Sequence, residues 1–297
     1  MKLVLARIAG TLRLPTTTTD PFALYGIRTE FTNALRRIAC NDSLRECHAC
    51  ETHNSCSYLS TLSQELSSDP FARRLHQKPP LPFVFDFPRL DADLLADNRV
   101  EFVLSVFGGA TGYLGDYLQA LGSIFTQGSK YGVLEKLESL DIWGGRTPIS
   151  LPDGRDPAGV TLIAASELAE TMVLNGEKME ISLETPMVLP VDGAPLREFD
   201  PCRFLRTLIR RVSSLAYYCG GEELACDYKD LSLASHNIRT VESSISWTIW
   251  RGNKLAGLTG NALLEGDLAP FLLFLSVGVY AHLGKGASFG LGRYTLR

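Results

Sequence analysis

The chain has 297 residues, 45% of them hydrophobic, and a formal net charge of −4 at pH 7. That length accommodates one large domain or two modest ones. The charge excludes a protein that coats nucleic acid nonspecifically, although a local basic face is compatible with such a total. The longest apolar run, residues 270–284, ends beside Lys285 and falls short of the roughly 18 residues that a bilayer crossing needs. The opening MKLVLARIAG carries Arg7 inside its apolar stretch and lacks a signal-peptide cleavage pattern, so a cytoplasmic location is expected.

In chain order, residues 2–14 read as a strand and 28–40 as a helix, with Phe31, Leu35 and Ile38 at helical spacing. An irregular Cys-bearing stretch occupies about residues 40–78. Residues 82–87 and 99–107 then read as strands, about 112–126 as a helix and 130–143 as a strand. The Gly- and Pro-rich stretch 144–159 reads as a linker or loop, followed by VTLIAA as an extra strand.

The same order then recurs. Residues 178–189 form a strand and 200–218 a helix, with Asp200 as N-cap and Pro201 in its first turn. Residues 244–250 and 253–266 follow as strands, 268–283 as a helix capped by Asp267, and the last residues as a strand. Two βαββαβ units predict an α+β fold with two tandem ferredoxin-like (RRM-like) domains, 1–147 with the Cys-rich insertion and 148–297. Each antiparallel sheet would carry both helices on one face. RNA-recognition modules of this topology use the other face, although the fold serves many functions.

Between the last helix and the last strand, Gly284, Gly286, Gly290 and Gly292 crowd into nine positions. A dinucleotide fingerprint or a P-loop requires a strand before the glycines and a helix after them, and here the order is reversed. A plain helix-to-strand connection needs only one glycine. The pattern therefore points to a loop whose backbone N–H groups, from Gly284, Gly286, Ser288, Gly290 and Gly292, hold a phosphate. Lys285 and Arg293 would add charge at its ends. Phe289 would stack on a base or plug the space between sheet and helix.

Of the 29 basic residues 21 are arginine, the side chain whose planar fork can grip a phosphate with two hydrogen bonds. Arg203, Arg206 and Arg210 fall at i, i+3 and i+7 of the helix 200–218, with no acidic residue from 203 to 218. Three guanidiniums along one face repel one another, and an outside polyanion relieves this. The expected ligand of that face is RNA, held by phosphates more than by bases.

The ending AHLGKGASFGLGRYTL, the block KLAGLTGNALLEGDLAPFLLFLSVGVYAHLG and the early block ALRRIACNDSLRECHACETHNSCSYL followed by PPLPFVFDFP carry a resemblance. They are similar to the CRISPR repeat-processing endoribonucleases of the RAMP superfamily, over nearly the whole chain. The resemblance implies tandem ferredoxin-like domains and a metal-independent cut in a CRISPR repeat, often with the enzyme retained on its product in a larger effector. Implied partners are therefore CRISPR repeat RNA, the crRNA product and other effector subunits.

Cys40, Cys47, Cys50 and Cys56 give C-x6-C-x2-C-x5-C. C-x2-C is the spacing by which a tight turn brings two thiolates to one zinc ion, and four sulfurs would close the site to chemistry. A structural zinc clip is expected, with His48 and His53 as substitute ligands and reduced thiols as the alternative. No catalytic metal is expected.

Metal-free cleavage needs a base for the 2′-OH, an acid for the departing 5′-oxygen and cations around the phosphorus. Members of the resembled family often place a histidine in or just before the first helix, and DPFALYGIRTEFTNALRRIAC contains none. Tyr25, Arg28 and, before the glycine loop, His282 are the substitutes expected to be catalytic. Two functions follow: an endoribonuclease that leaves 5′-hydroxyl and 2′,3′-cyclic phosphate ends, or a noncatalytic crRNA-binding RAMP subunit of an effector complex.

Overall fold

A computed structural model describes all residues except 41–46, 48–49, 51–54, 77, 91, 151–155, 173–176, 192 and 253–254. In chain order it contains β1 (Val4–Arg13), α1 (Arg28–Ala39), α2 (Ser57–Leu62), α3 (Pro70–Leu75), β2 (Phe83–Asp86), α4 (Ala92–Asp97) and β3 (Arg99–Phe107). Next come α5 (Leu114–Ile124), β4 (Val133–Leu140), β5 (Arg146–Pro148), β6 (Leu162–Ala164), α6 (Ala165–Glu170) and β7 (Lys178–Met187). After β8 (Pro190–Val191) and β9 (Ala194–Pro195) follow α7 (Pro201–Gly220), α8 (Tyr228–Ala234), β10 (Arg239–Ser243) and β11 (Ser246–Arg251). β12 (Leu255–Glu265), α9 (Leu272–Ala281) and β13 (Tyr294–Leu296) end the chain. Two units divide it, one of residues 4–67 and 81–163, the other of residues 1–3, 68–80 and 164–297.

The first unit is an antiparallel sheet in the order β2-β3-β1-β4-β5, with β6 also on β1. Phe31 of α1 meets Phe83 and Phe85 of β2 at ring-centroid distances of 5.1 and 5.0 Å, and Tyr117 of α5 at 5.9 Å. Rings of this size and geometry dominate the burial that holds both helices to one sheet face. The boundary expected after residue 147 falls instead between 163 and 164. Its cause is strand pairing: β5, inside the expected linker, adds to β4, and β6 adds to β1.

The second unit repeats the order. Its sheet runs β10-β12-β7-β13, with β11 also on β12, so the strands in chain order take the same places as β2, β3, β1 and β4 of the first sheet. Both units are ferredoxin-like, which gives the α+β fold. In the second core, Phe204 of α7 packs edge-on against Tyr294 at 5.2 Å, and the Tyr294 hydroxyl donates to Leu275 O at 2.8 Å. Residues 68–80, expected within the first domain, belong to this unit. His76 is fully buried there, with Nε2 2.8 Å from Glu223 Oε2, Nδ1 3.3 Å from Ser214 Oγ, and its ring stacked on Tyr217 at 4.9 Å.

The helix-free sheet faces are already occupied by charge pairs. On the first, Arg13 and Arg99 share Glu135 at 2.8 and 3.0 Å, while Lys136 and Arg146 share Glu138 at 2.7 and 3.3 Å. On the second, Arg239 and Lys178 share Glu265, and Ser182 donates to Asn261 Oδ1 at 2.7 Å. Among the described residues these pairs neutralise charge that an open sheet of this topology would turn toward RNA. No helix among the described residues is long and apolar enough to cross a membrane.

Candidate nucleic-acid interface

Helix α7 is built by its caps and one apolar stripe. Asp200 accepts from Arg203 N at 3.2 Å, and Pro201 sits where its missing N–H costs nothing. At the other end Gly221 takes φ 65°, while Glu222 N and Gly221 N donate to Ala216 O and Tyr217 O. The bond from Gly221 N to Tyr217 O is that of an αL cap. Phe204, Leu205, Leu208, Val212 and Leu215 point into the core. Arg203 and Arg210 are exposed and Arg206 is half-buried, and among the described residues none of the three has an acidic partner. The stripe read from the sequence is therefore present, with its charge uncompensated.

The glycine loop is not mobile. All four glycines hold positive φ: 87° at Gly284, 85° at Gly286, 94° at Gly290 and 68° at Gly292. A Cβ on Gly284 would land on Val188 O, and one on Gly292 on Leu283 O. Close packing and left-handed backbone thus require these glycines. Lys285 N and Gly292 N donate to Val188 O and Pro186 O at 3.0 and 3.1 Å, and Phe289 N and Gly290 N donate to Gly286 O and Ala287 O. Arg293 N donates to Thr185 Oγ1 at 2.9 Å. The amides of Gly290 and Gly292 are therefore spent internally, which corrects their expected place in a phosphate nest. Among the described residues those of Gly284, Gly286 and Ser288 have no internal acceptor, and beside them only Lys285 is exposed. Phe289 is 7% exposed and fills the core.

Two of the three residues expected to cut RNA are tied up. The Tyr25 hydroxyl donates to Phe87 O at 2.9 Å in a buried position, so it serves the fold of the first unit and not as a base. His282 is 2% exposed, and burial, reinforced by Arg293 and Arg211, pushes its pKa down to about 3. A neutral, enclosed imidazole cannot trade protons with solvent near pH 7, which corrects the role expected of it. Arg28 is exposed at the start of α1.

The expected zinc clip takes its four thiols from a segment of which residues 41–46, 48–49 and 51–54 lie outside the described residues. Cys40, Cys47, Cys50 and Cys56 are half-buried free thiols, and no group of three or more metal-ligating side chains gathers among the described residues. His48 and His53 lie outside the described residues. What fastens the end of the insertion is α2: Ser57 Oγ lies 2.5 Å from Asp116 Oδ2, and Thr61 Oγ1 lies 2.8 Å from the Tyr117 hydroxyl.

One functional candidate was not read from the sequence. Arg211 follows Arg210, and a step of about 100° along the helix turns it toward α9, where its Nη2 donates to Ala281 O at 3.2 Å. No spacing rule separates it from a solvated neighbour.

Tandem ferredoxin-like units, a cationic helix and a structured glycine loop before the last strand are the features that the comparisons with known proteins can test. Residues 181–294 match the family model of the CRISPR-associated endoribonuclease Cas6, and residues 6–150 match the N-terminal domain model AF_1859_N. The Cas6 match covers the α7 row and the glycine loop, and solved Cas6 structures share the fold. Thermus thermophilus Cas6 shares its fold, with TM-score 0.57 and 14% identity over all of both chains. A Cas6 substrate mimic complex superposes with TM-score 0.55 and 12% identity over 99% of each chain. The partial Cas6-RT-Cas1–Cas2 complex gives 0.56 and 13%, over 99% of this chain and 46% of that one. Comparison with curated proteins gives no match.

Proposed function

We propose that the protein binds the repeat of a CRISPR precursor RNA, in the form of a hairpin, and cuts it without a metal ion. Attack by the 2′-OH would leave 5′-hydroxyl and 2′,3′-cyclic phosphate ends. The observation that carries this reading is the row Arg203, Arg206 and Arg210 on α7, cationic and without acidic partners among the described residues, in a unit that matches the Cas6 model. Gripping phosphates satisfies that row and sets the register of the strand.

In this reading Lys285 and the amides of Gly284 and Gly286, in the same unit as the arginine row, orient the strand. Structures similar in fold include a Cas6 substrate mimic complex and a Cas6-RT-Cas1–Cas2 complex, which supports repeat RNA and other CRISPR subunits as partners in the cytoplasm. A zinc clip in the insertion rests on the C-x2-C spacing alone; about one zinc per purified chain supports it, and well under one removes it.

Substituting single 2′-deoxy nucleotides through the repeat encoded near the gene tests the mechanism. One position should abolish cleavage while binding persists. Cleavage indifferent to every substitution contradicts 2′-OH attack, and tight binding of uncut RNA throughout identifies the noncatalytic subunit instead.

A further inference from the structure

In and just after α3 stands a second exposed group of cations, with an aromatic ring among them. Arg73, Arg74 and Lys78 are exposed, and among the described residues none has an acidic partner. Phe71, in the same short helix, is 64% exposed. Carboxylates on the elements around it are committed elsewhere. Asp69 caps α3 by accepting from Phe71 N at 2.9 Å, Glu222 accepts from Lys2 N, and Glu223 holds His76 and the Tyr228 hydroxyl.

A single exposed phenyl ring is ordinary on a protein surface. This one is held in place. With six residues α3 is too short to stand alone, and the buried Ala72 and His76 tie it down. The His76 ring stacks on Tyr217 at 4.9 Å and meets Ser214 and Glu223, while the Tyr218 hydroxyl donates to its carbonyl. Ser214 and Tyr217 follow Arg210 at i+4 and i+7, so they lie on the same face of α7 as Arg203, Arg206 and Arg210. The mount of α3 therefore starts about 6 Å beyond Arg210 along the helix, in line with the row and within one unit. Phe71 and Arg74, at i and i+3, share a side of α3.

We propose that α3 is a second RNA-contacting element, in which Phe71 stacks on one unpaired nucleobase beside the repeat hairpin and Arg74 grips a phosphate next to it. Arg73 and Lys78 add to the same field. This rests on the RNA-binding reading and goes beyond it: the row on α7 takes the stem, and α3 takes the single strand that leaves it. Three cations without partners repel a second copy of the same face, whereas a polyanion with exposed bases satisfies both the charge and the ring. Stacking tolerates any base, because every base has a π-face, so α3 fixes where the hairpin ends and not which bases flank it. Phe71 is thus a positioning residue.

The test measures Kd on two RNAs, the bare repeat hairpin and the same hairpin with its unpaired flanks, for wild type, Phe71→Ala, Phe71→Trp and Arg74→Gln. On the flanked RNA, Phe71→Ala should bind roughly ten- to a hundredfold more weakly than wild type, and Phe71→Trp should restore the affinity. Arg74→Gln should lose affinity with a salt slope shallower by about 0.7. All variants should bind the bare hairpin, and melt, as wild type does. With 2-aminopurine placed at successive unpaired positions, wild type should quench one position and Phe71→Ala none.

A wild type that binds neither RNA refutes the RNA-binding reading, and this inference falls with it. A wild type that binds both, beside variants that bind the flanked RNA equally well and quench the same position, overturns the inference alone. If sedimentation then shows that Phe71→Ala loses self-association, the ring belongs to an interface between copies. Equal losses on both RNAs would set α3 against the stem and likewise overturn the assignment to the single strand.

Discussion

Gly292 lies directly against Leu283: Leu283 N donates to Gly292 O at 2.9 Å, and a Cβ on Gly292 would land on the Leu283 carbonyl oxygen. With φ at 68° this glycine lets the two ends of the loop close on each other. Gly292→Ala should therefore lower stability by roughly 2 kcal/mol or more, measured by chemical denaturation. A loss below 0.5 kcal/mol, on the order of an ordinary surface change, would show that the loop is not locked in this way.

The same enclosure makes stability depend on pH through His282. Its folded pKa of about 3 lies below the unfolded value of about 6.5, so between these values the unfolded chain binds the proton and the folded one does not. Stability is complete above about pH 7 and falls as pH drops, by about 1.4 kcal/mol per pH unit from this group alone. His282→Gln should flatten the stability profile between about pH 6 and 4. An unaltered profile would place the imidazole in contact with solvent.

The arginine row predicts a binding effect. Charge reversal in Arg206→Glu/Arg210→Glu should weaken repeat binding by at least about a hundredfold and reduce the salt slope by about 1.5, with the circular dichroism melt unchanged within a few degrees. Retained affinity would assign the RNA to another face.

His76 predicts a structural effect. Its imidazole joins residues 68–80 to α7 and the following turn through Ser214 and Glu223, and the Tyr218 hydroxyl donates to its carbonyl at 3.1 Å. His76→Ala should cost about 2–4 kcal/mol by leaving a cavity and unpaired polar groups, and should speed proteolysis within residues 68–80. Equal protease resistance would contradict the latch.

What the sequence made legible was local. Asp200 and Pro201 announce α7 because a cap and a helix start are written within four residues, and the strands show in their alternation. The repeated βαββαβ order followed from these elements alone. What it hid was set by distant partners. His76 and Glu223 meet across 147 positions, and β5 joins β4 although its residues look like linker. The glycines correctly demanded positive φ, but a buried, internally bonded loop and an exposed phosphate nest make the same demand. Tyr25 looked available because nothing nearby in the chain showed that Phe87 O would claim its hydroxyl.

The most direct measurement is single-turnover incubation of the purified protein with end-labelled repeat RNA in excess EDTA. The account predicts one discrete cut whose upstream fragment carries a 2′,3′-cyclic phosphate. Intact RNA, or cleavage only after a divalent metal is restored, would contradict it.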